Sequence, residues 1–297
     1  MIKTLLLTSR PPFLLLSLSI VLLGTAIALY QGAQWSIGLF VLITVGAVLS
    51  HAAVNMLNEY QDFQSGLDAI TDKTPFSGGS GALPSHPAAA PYVLNMVKVI
   101  LFLLVLLGGY FVALKGWQIL PLGLLGVLLI VTYTSNITRL PWICLIAPGL
   151  AFGPVMVLGV YFVWTGSFSW LAACLSLIPF FLVNNLLLLN QVPDLKADQV
   201  VGRFNILMKH SVKTGFQLFT LFILLAYAML LFAVIYFRLP DLVWLAFIGL
   251  LFAVPMLKMM FASNENVDKL RPALGMNVII NILTPAMIAF GLIWSTL

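Results

Sequence analysis

The sequence predicts an all-α protein, a polytopic membrane bundle of nine transmembrane helices. Of 297 residues, 62% are hydrophobic and 8% charged, more apolar surface than a soluble core absorbs. Apolar runs of the roughly 20 residues that a helix needs to cross the hydrocarbon recur along the whole chain. The acidic residues are concentrated: of nine, six (Glu59, Asp62, Asp68, Asp72, Asp194 and Asp198) lie in or beside two segments that each close an apolar run. An ionisable group at membrane depth costs roughly 2.5–3.5 kcal/mol on insertion scales, so this clustering points to a site.

The runs lie near residues 12–30, 36–58, 92–114, 118–135, 142–164, 168–190, 214–237, 240–261 and 274–296. The first follows Lys3 and Arg10 and contains Ala26-Ile-Ala28, which resembles a leader cleavage site, but its apolar stretch is long for a leader and it is taken as a retained span. The second closes with Asn55-Met-Leu-Asn58-Glu59-Tyr-Gln-Asp62-Phe-Gln-Ser-Gly66-Leu-Asp68. A long polar connection over 59–91 follows, carrying Ser77-Gly78-Gly79-Ser80-Gly81 and Pro84, Pro87 and Pro91. The glycine run follows no strand and has no Walker lysine, so it is not a P-loop. Cys144 and Cys174 fall in the fifth and sixth runs, form no CxxC and are assigned to packing. The sixth run closes with Asn190-Gln191-Val-Pro193-Asp194-Leu-Lys196-Ala-Asp198, and a second polar connection covers 191–213. A third, 262–273, holds Glu265, Asp268, Lys269 and Arg271 and reads as a solvated loop. The remaining connections are short, as in antiparallel bundles, and one domain over 1–297 is expected, capped at one end by loops 59–91 and 191–213.

With the N-terminus placed in the cytoplasm, all Lys and Arg residues except Lys115 and Arg238 fall on the inner side, which fixes the orientation. Both acidic segments then open to the cytoplasm, as expected for a cell membrane of a bacterium or archaeon. The net charge of +5 is topological, spread over several loops between spans, and no nucleic-acid partner is expected.

At about 100° per residue, Asn55, Asn58 and Asp62 share a stripe roughly 60° wide, and Asn190, Asp194 and Asp198 drift by about 80°. Gly66 is expected to end the second helix, letting the chain turn Asp68 back to the same space, and Pro193 to bend the sixth. Carboxylates without histidine or thiolate partners suit a hard cation, Mg²⁺ in particular with phosphate oxygens. His51, His86 and His210 are not spaced for zinc. Four aspartates, two Mg²⁺ and a diphosphate sum to about −3, so basic groups must complete such a site. Lys73, Arg139 and Arg203 are the candidates, each also explicable as a topological anchor.

These segments resemble those of the UbiA superfamily of membrane prenyltransferases. Asn58-Glu59-Tyr60-Gln61-Asp62 with Gly66 and Asp68 is similar to the first motif of its 1,4-dihydroxy-2-naphthoate polyprenyltransferase branch, and Asn190 to Asp198 with Gly202 to the second. Phe152-Gly153-Pro154 through Gly159 and Tyr161 resembles that branch's fifth helix. The resemblance implies Mg²⁺ held by Asn58, Asp62, Asp68, Asp194 and Asp198, and an isoprenoid diphosphate held with Asn58, Lys73, Asn190 and Arg203. Asp62, Asp194 and Arg139 are the expected catalytic residues. It further implies prenyl transfer to an aromatic acceptor in menaquinone biosynthesis, with the polyprenyl tail in a groove open to the lipid bilayer. The chain departs from the pattern at Glu59, where aspartate is common, at Pro75-Phe76-Ser77, which lacks an arginine, and at Arg203-Phe204-Asn205, where a basic pair is usual. The alternatives are another aromatic or lipid acceptor, a membrane terpene cyclase, or, in a different class, a secondary transporter, for which midplane sites on broken helices are characteristic.

Overall fold

A backbone in lipid must satisfy its polar groups within each segment, and a chain this apolar does so by helix formation. The computed structural model describes residues 1–71, 74, 77–263 and 265–296, and among these all regular structure is helical. Among the described residues, nine apolar helices overlap the nine expected runs: α1 (Pro11–Tyr30), α2 (Ile37–Ser65), α3 (Pro87–Lys115), α4 (Trp117–Thr132), α5 (Pro141–Thr165), α6 (Trp170–Val200), α7 (Val212–Tyr236), α8 (Asp241–Ala262) and α9 (Val267–Trp294). Eight are long enough to cross a bilayer. α4 is shorter, about 24 Å at 1.5 Å per residue against a hydrocarbon core of about 30 Å.

α2 and α6 run past the expected ends of their apolar stretches, so residues 59–65 and 191–200, assigned above to cap loops, are helix. Gly66 does end α2: it adopts φ +78° and donates its N–H to the Asp62 and Phe63 carbonyls, a left-handed stop that a residue with a Cβ resists. α6 continues through Pro193 to Val200, and Gly202 at φ +76° turns the chain after it. The short helices Leu67–Ile70, Ala82–Ser85 and Ile206–Lys209 lie in the two polar connections.

α1 is an inner helix, packed against α2, α5 and α9, with Ile20, Leu23 and Ile27 buried. α6 is the other, packed against α5, α7 and α9. In lipid the hydrophobic effect gives helices little reason to associate, so close approach and hydrogen bonds do the work. Gly149 and Gly153 of α5 let that helix lie on the α6 backbone. Asn184 of α6 accepts the Gly149 N–H at 2.6 Å, Asn185 donates to the Phe219 carbonyl of α7 at 2.8 Å, and Asn277 of α9 donates to the Asn185 carbonyl at 3.1 Å. α5 widens into a π-turn over Ala151–Val157 around Pro154, which cannot donate a helical hydrogen bond. α3 is the least buried of the spanning helices and packs mainly on α2.

Candidate active site

The helical spacing and the two glycine stops bring both polar segments to one end of the bundle. Asn58, Asp62 and Asp68 from the α2 side, and Asn190, Asp194 and Asp198 from α6, line one chamber of about 110 Å³. Arg203 lines it too. Its backbone is set by the Gly202 turn, with its N–H on the Asp198 carbonyl at 3.0 Å and the next N–H, of Phe204, on the Thr138 carbonyl at 3.0 Å. The Arg203 guanidinium donates to Asp198 Oδ1 at 2.9 Å and pairs with Asp62, tying the two segments together. Burial works against the Arg203 charge, but Asp62 and Asp198 outweigh it and raise its pKa above the ordinary value.

Glu59, about 100° round the helix from Asn58, lies just past the Asn55 edge of the stripe. It is fully buried, pairs with Arg10 at 2.7 Å, and accepts from the Ser80 N–H and hydroxyl at 2.7 Å each. The glycine run thus serves a protein carboxylate: the Ser80 amide is taken by Glu59, and a Cβ on Gly79 would stand 2.9 Å from Asp68 Oδ1. Tyr133, Thr138 and Asn205 complete much of the remaining wall. Burial pushes the Tyr133 phenol well above its ordinary pKa, so it is neutral near pH 7.

Arg139 is not in the chamber. The turn Ile137–Arg139 buries Ile137 and Thr138 and leaves Arg139 exposed, so the expected catalytic role gains no support from its position. Lys73 lies outside the described residues, as do Asp72, Pro75 and Phe76. Glu265 is exposed, and Asp268 and Arg271, expected in a solvated loop, lie instead in the first turns of α9, where they pair at 3.1 Å on the surface.

The donor set fits a hard cation. Asn190 Oδ1 and Asp194 Oδ1 are buried, lack hydrogen-bond partners among the described residues, and stand one helical turn apart on the chamber wall. Every candidate ligand is oxygen, as Mg²⁺ prefers. Among the described residues no three carboxylate, imidazole or thiol groups converge closely enough to hold a metal by themselves. Mg²⁺ commonly takes only one or two carboxylates and completes its shell with water and phosphate oxygens.

A second cavity of about 440 Å³ adjoins the chamber and is lined mostly by apolar residues of α2, α3, α4 and α5, with the π-turn of α5 in its wall. Gly46, Gly108, Gly109, Gly123, Gly126 and Gly159 line it, leaving width where side chains would fill it. Arg10, Asn58, Tyr133 and Leu187 line both spaces and form the neck between them. Arg10 was passed over in the sequence because positive-inside topology explains it. Its signal was the placement of an arginine directly before Pro11 at the head of an inner span.

Residues 17–284 match the model of the UbiA prenyltransferase family. The 1,4-dihydroxy-2-naphthoate octaprenyltransferase of Bacillus subtilis (strain 168) is 30% identical over 207 residues, covering 68% of this chain and 65% of that protein, just under two thirds of its length. A UbiA homologue from Aeropyrum pernix K1, solved in its apo form, shares the fold with a TM-score of 0.74 at 17% identity, over 96% of this chain and 98% of that one. A UbiA homologue from Archaeoglobus fulgidus bound to GPP and Mg²⁺ gives 0.63 at 14% identity, over 96% and 99%.

Proposed function

The chain belongs to the UbiA prenyltransferase family, and from that premise we propose that it is a Mg²⁺-dependent membrane enzyme transferring a polyprenyl group from its diphosphate to an aromatic acceptor, with 1,4-dihydroxy-2-naphthoate the leading candidate. The observation that carries this reading is the pairing of an oxygen-lined chamber with an apolar cavity through one neck. An amphiphile with a polyanionic head and a long hydrocarbon tail matches that pair. The relative solved with GPP and Mg²⁺ and the Bacillus relative's naphthoate acceptor support the same assignment.

Four aspartates face the chamber against Arg203 and an Arg10 already paired with Glu59, so an anionic head alone would be repelled. Asp62, Asp68, Asp194 and Asp198, with Asn58 and Asn190, would hold Mg²⁺, which when bound supplies the charge that offsets the diphosphate and eases its departure. Arg203 brings a fixed positive charge to the chamber that would take that head, between two carboxylates. The apolar cavity orders the tail and keeps water from the allylic carbon. In the transfer, the C1–O bond breaks and diphosphate leaves with the electron pair. A ring carbon bonds to C1, and loss of the group that carbon carried restores aromaticity. We place the chamber on the cytoplasmic face, as the distribution of lysine and arginine supports.

The test is to incubate the purified protein in lipid nanodiscs with labelled polyprenyl diphosphate, Mg²⁺ and a panel of aromatic acceptors. Prenylated dihydroxynaphthoate is expected, with activity abolished by EDTA and restored by Mg²⁺. Asp62→Ala and Asp194→Ala should each lose at least about a hundredfold in kcat. Diphosphate release without any acceptor, or no reaction across the panel, would overturn the reading.

A further inference from the structure

If diphosphate occupies the chamber and the tail the cavity, as the reading above has it, the carbon under attack lies at the neck. The acceptor ring must then be delivered there. Of the four described residues that line both spaces, Arg10 alone is charged.

Arg10 is held unusually firmly. Its backbone sits at φ 52° and ψ 63°, a left-handed conformation that residues with a side chain seldom adopt, immediately before Pro11. Its Nε donates to Glu59 Oε1 at 2.7 Å, and its Nη2 reaches the same oxygen at 2.7 Å and Asn58 Oδ1 at 3.4 Å. Glu59 is itself fixed by Ser80 through both of its oxygens. One edge of the guanidinium is therefore locked to the protein, while Nη1 has no acceptor among the described residues. A guanidinium whose Nε and Nη2 are held by the protein and whose Nη1 is left to donate is preorganised to hydrogen-bond an anion such as a carboxylate. Beside it at the neck are the flat ring of Tyr133 and the apolar Leu187, walls suited to an aromatic body.

The diphosphate is a poorer match for this group. Glu59 offsets most of the Arg10 charge, so the pair adds little to the potential that a polyanion needs, yet the free N–H groups keep their direction. Arg203, set among the chamber aspartates, is placed for the diphosphate instead.

We propose that Arg10, positioned by Glu59, selects the acceptor by hydrogen-bonding a carboxylate carried on its aromatic ring, and so seats the ring at the neck. The proposal rests on the transferase reading for the place of the donor, but its test does not depend on turnover.

The probes are 1,4-dihydroxy-2-naphthoate and 1,4-dihydroxynaphthalene, which differ in the carboxylate. Their equilibrium binding is measured under reducing conditions without donor, and their KM values with donor where transfer occurs. Wild type should favour the carboxylate by about tenfold or more. Because Arg10→Gln alone leaves Glu59 buried and unpaired, the main variant is Arg10→Gln/Glu59→Gln, which keeps both positions polar and neutral. In it the preference should fall to about twofold or less, while KM for polyprenyl diphosphate changes by less than about twofold. Arg10→Lys keeps the charge without the fork and should restore only part of the preference. Equal binding of the two probes by wild type, a preference retained in the double variant, or a rise in donor KM in place of acceptor KM would each overturn the proposal. Carboxylate-selective binding that is lost in the double variant, with no prenyl transfer by wild type, would instead sustain Arg10 and defeat the transferase reading.

Discussion

Arg203 holds Asp62 and Asp198 with one guanidinium, so removing it strands two buried carboxylates at once. Arg203→Ala should lower stability by about 3–5 kcal/mol in denaturant unfolding, and added Mg²⁺ or Mn²⁺ should recover part of that loss by taking the vacated place. No recovery would count against metal binding at Asp62 and Asp198. The aspartates and asparagines of the chamber were legible in the sequence because helical spacing aligns them, except Asp68, which the turn at Gly66 brings back. Arg203 was legible as a partner, though its bridge between the two segments was not. Glu59 reads in the sequence as a departure from the usual aspartate, yet at the Asn55 edge of the stripe it meets Arg10 and Ser80, partners 49 and 21 residues distant. Arg139 was named because charge counting asks for a cation, and that count does not say which way a turn points it. Burying Ile137 and Thr138 turned it outward.

At the scale of the helices, α5 and α6 form the contact least tolerant of change. A Cβ on Gly153 would come within 2.5 Å of the Ser176 carbonyl oxygen and 2.7 Å of the Phe180 nitrogen, neither of which can move without shifting α6. Gly153→Val should therefore reduce the yield of folded protein and lower the melting temperature by several degrees or more, at a cost of about 1–3 kcal/mol. Asn184→Leu removes the acceptor of the Gly149 N–H and should cost about 0.6–1.7 kcal/mol, a smaller shift in the same melt. The glycine stop at Gly66 could be read from the sequence, because a left-handed turn leaves a chemical signature. The π-turn around Pro154 could not, since a proline announces an interrupted hydrogen bond without specifying how the helix repairs it.

For the whole molecule, the two spaces divide the work: the chamber is built by α2 and α6, the cavity by α2 and the outer pair α3 and α4 against α5. Nothing lies within 4 Å of a Cβ built on Gly123 or Gly159, so larger residues there would project into the cavity without first displacing the bundle. Gly123→Phe or Gly159→Leu should leave transfer from geranyl diphosphate within about threefold while reducing that from octaprenyl diphosphate by about tenfold or more, read from initial rates across a chain-length series. Equal losses for both donors would remove the cavity from tail binding. Among the described residues the apolar helices match the runs seen in the sequence, whereas the cavity was expected only as the groove that the family resemblance implies, with no residues to line it. In lipid, outward-facing and inward-facing positions are both apolar, so the contrast that marks a buried face in a soluble protein is absent. The short α4 likewise hides in a run whose composition matches its longer neighbours.

The tie between Arg203 and Asp62 spans 141 residues of chain, and that separation has a consequence during synthesis. At about 5–20 residues per second, Asp62 is made roughly 7–30 s before Arg203. Glu59 has Arg10 and Ser80 soon after α2 is complete, since both come from the same third of the chain. Asp62 must wait for a partner while four further helices enter the bilayer. The newborn first half therefore carries an unmatched acid at the membrane surface, one that the arrival of α6 and its following turn resolves. Assembly of the two halves is thereby coupled to completion of the site.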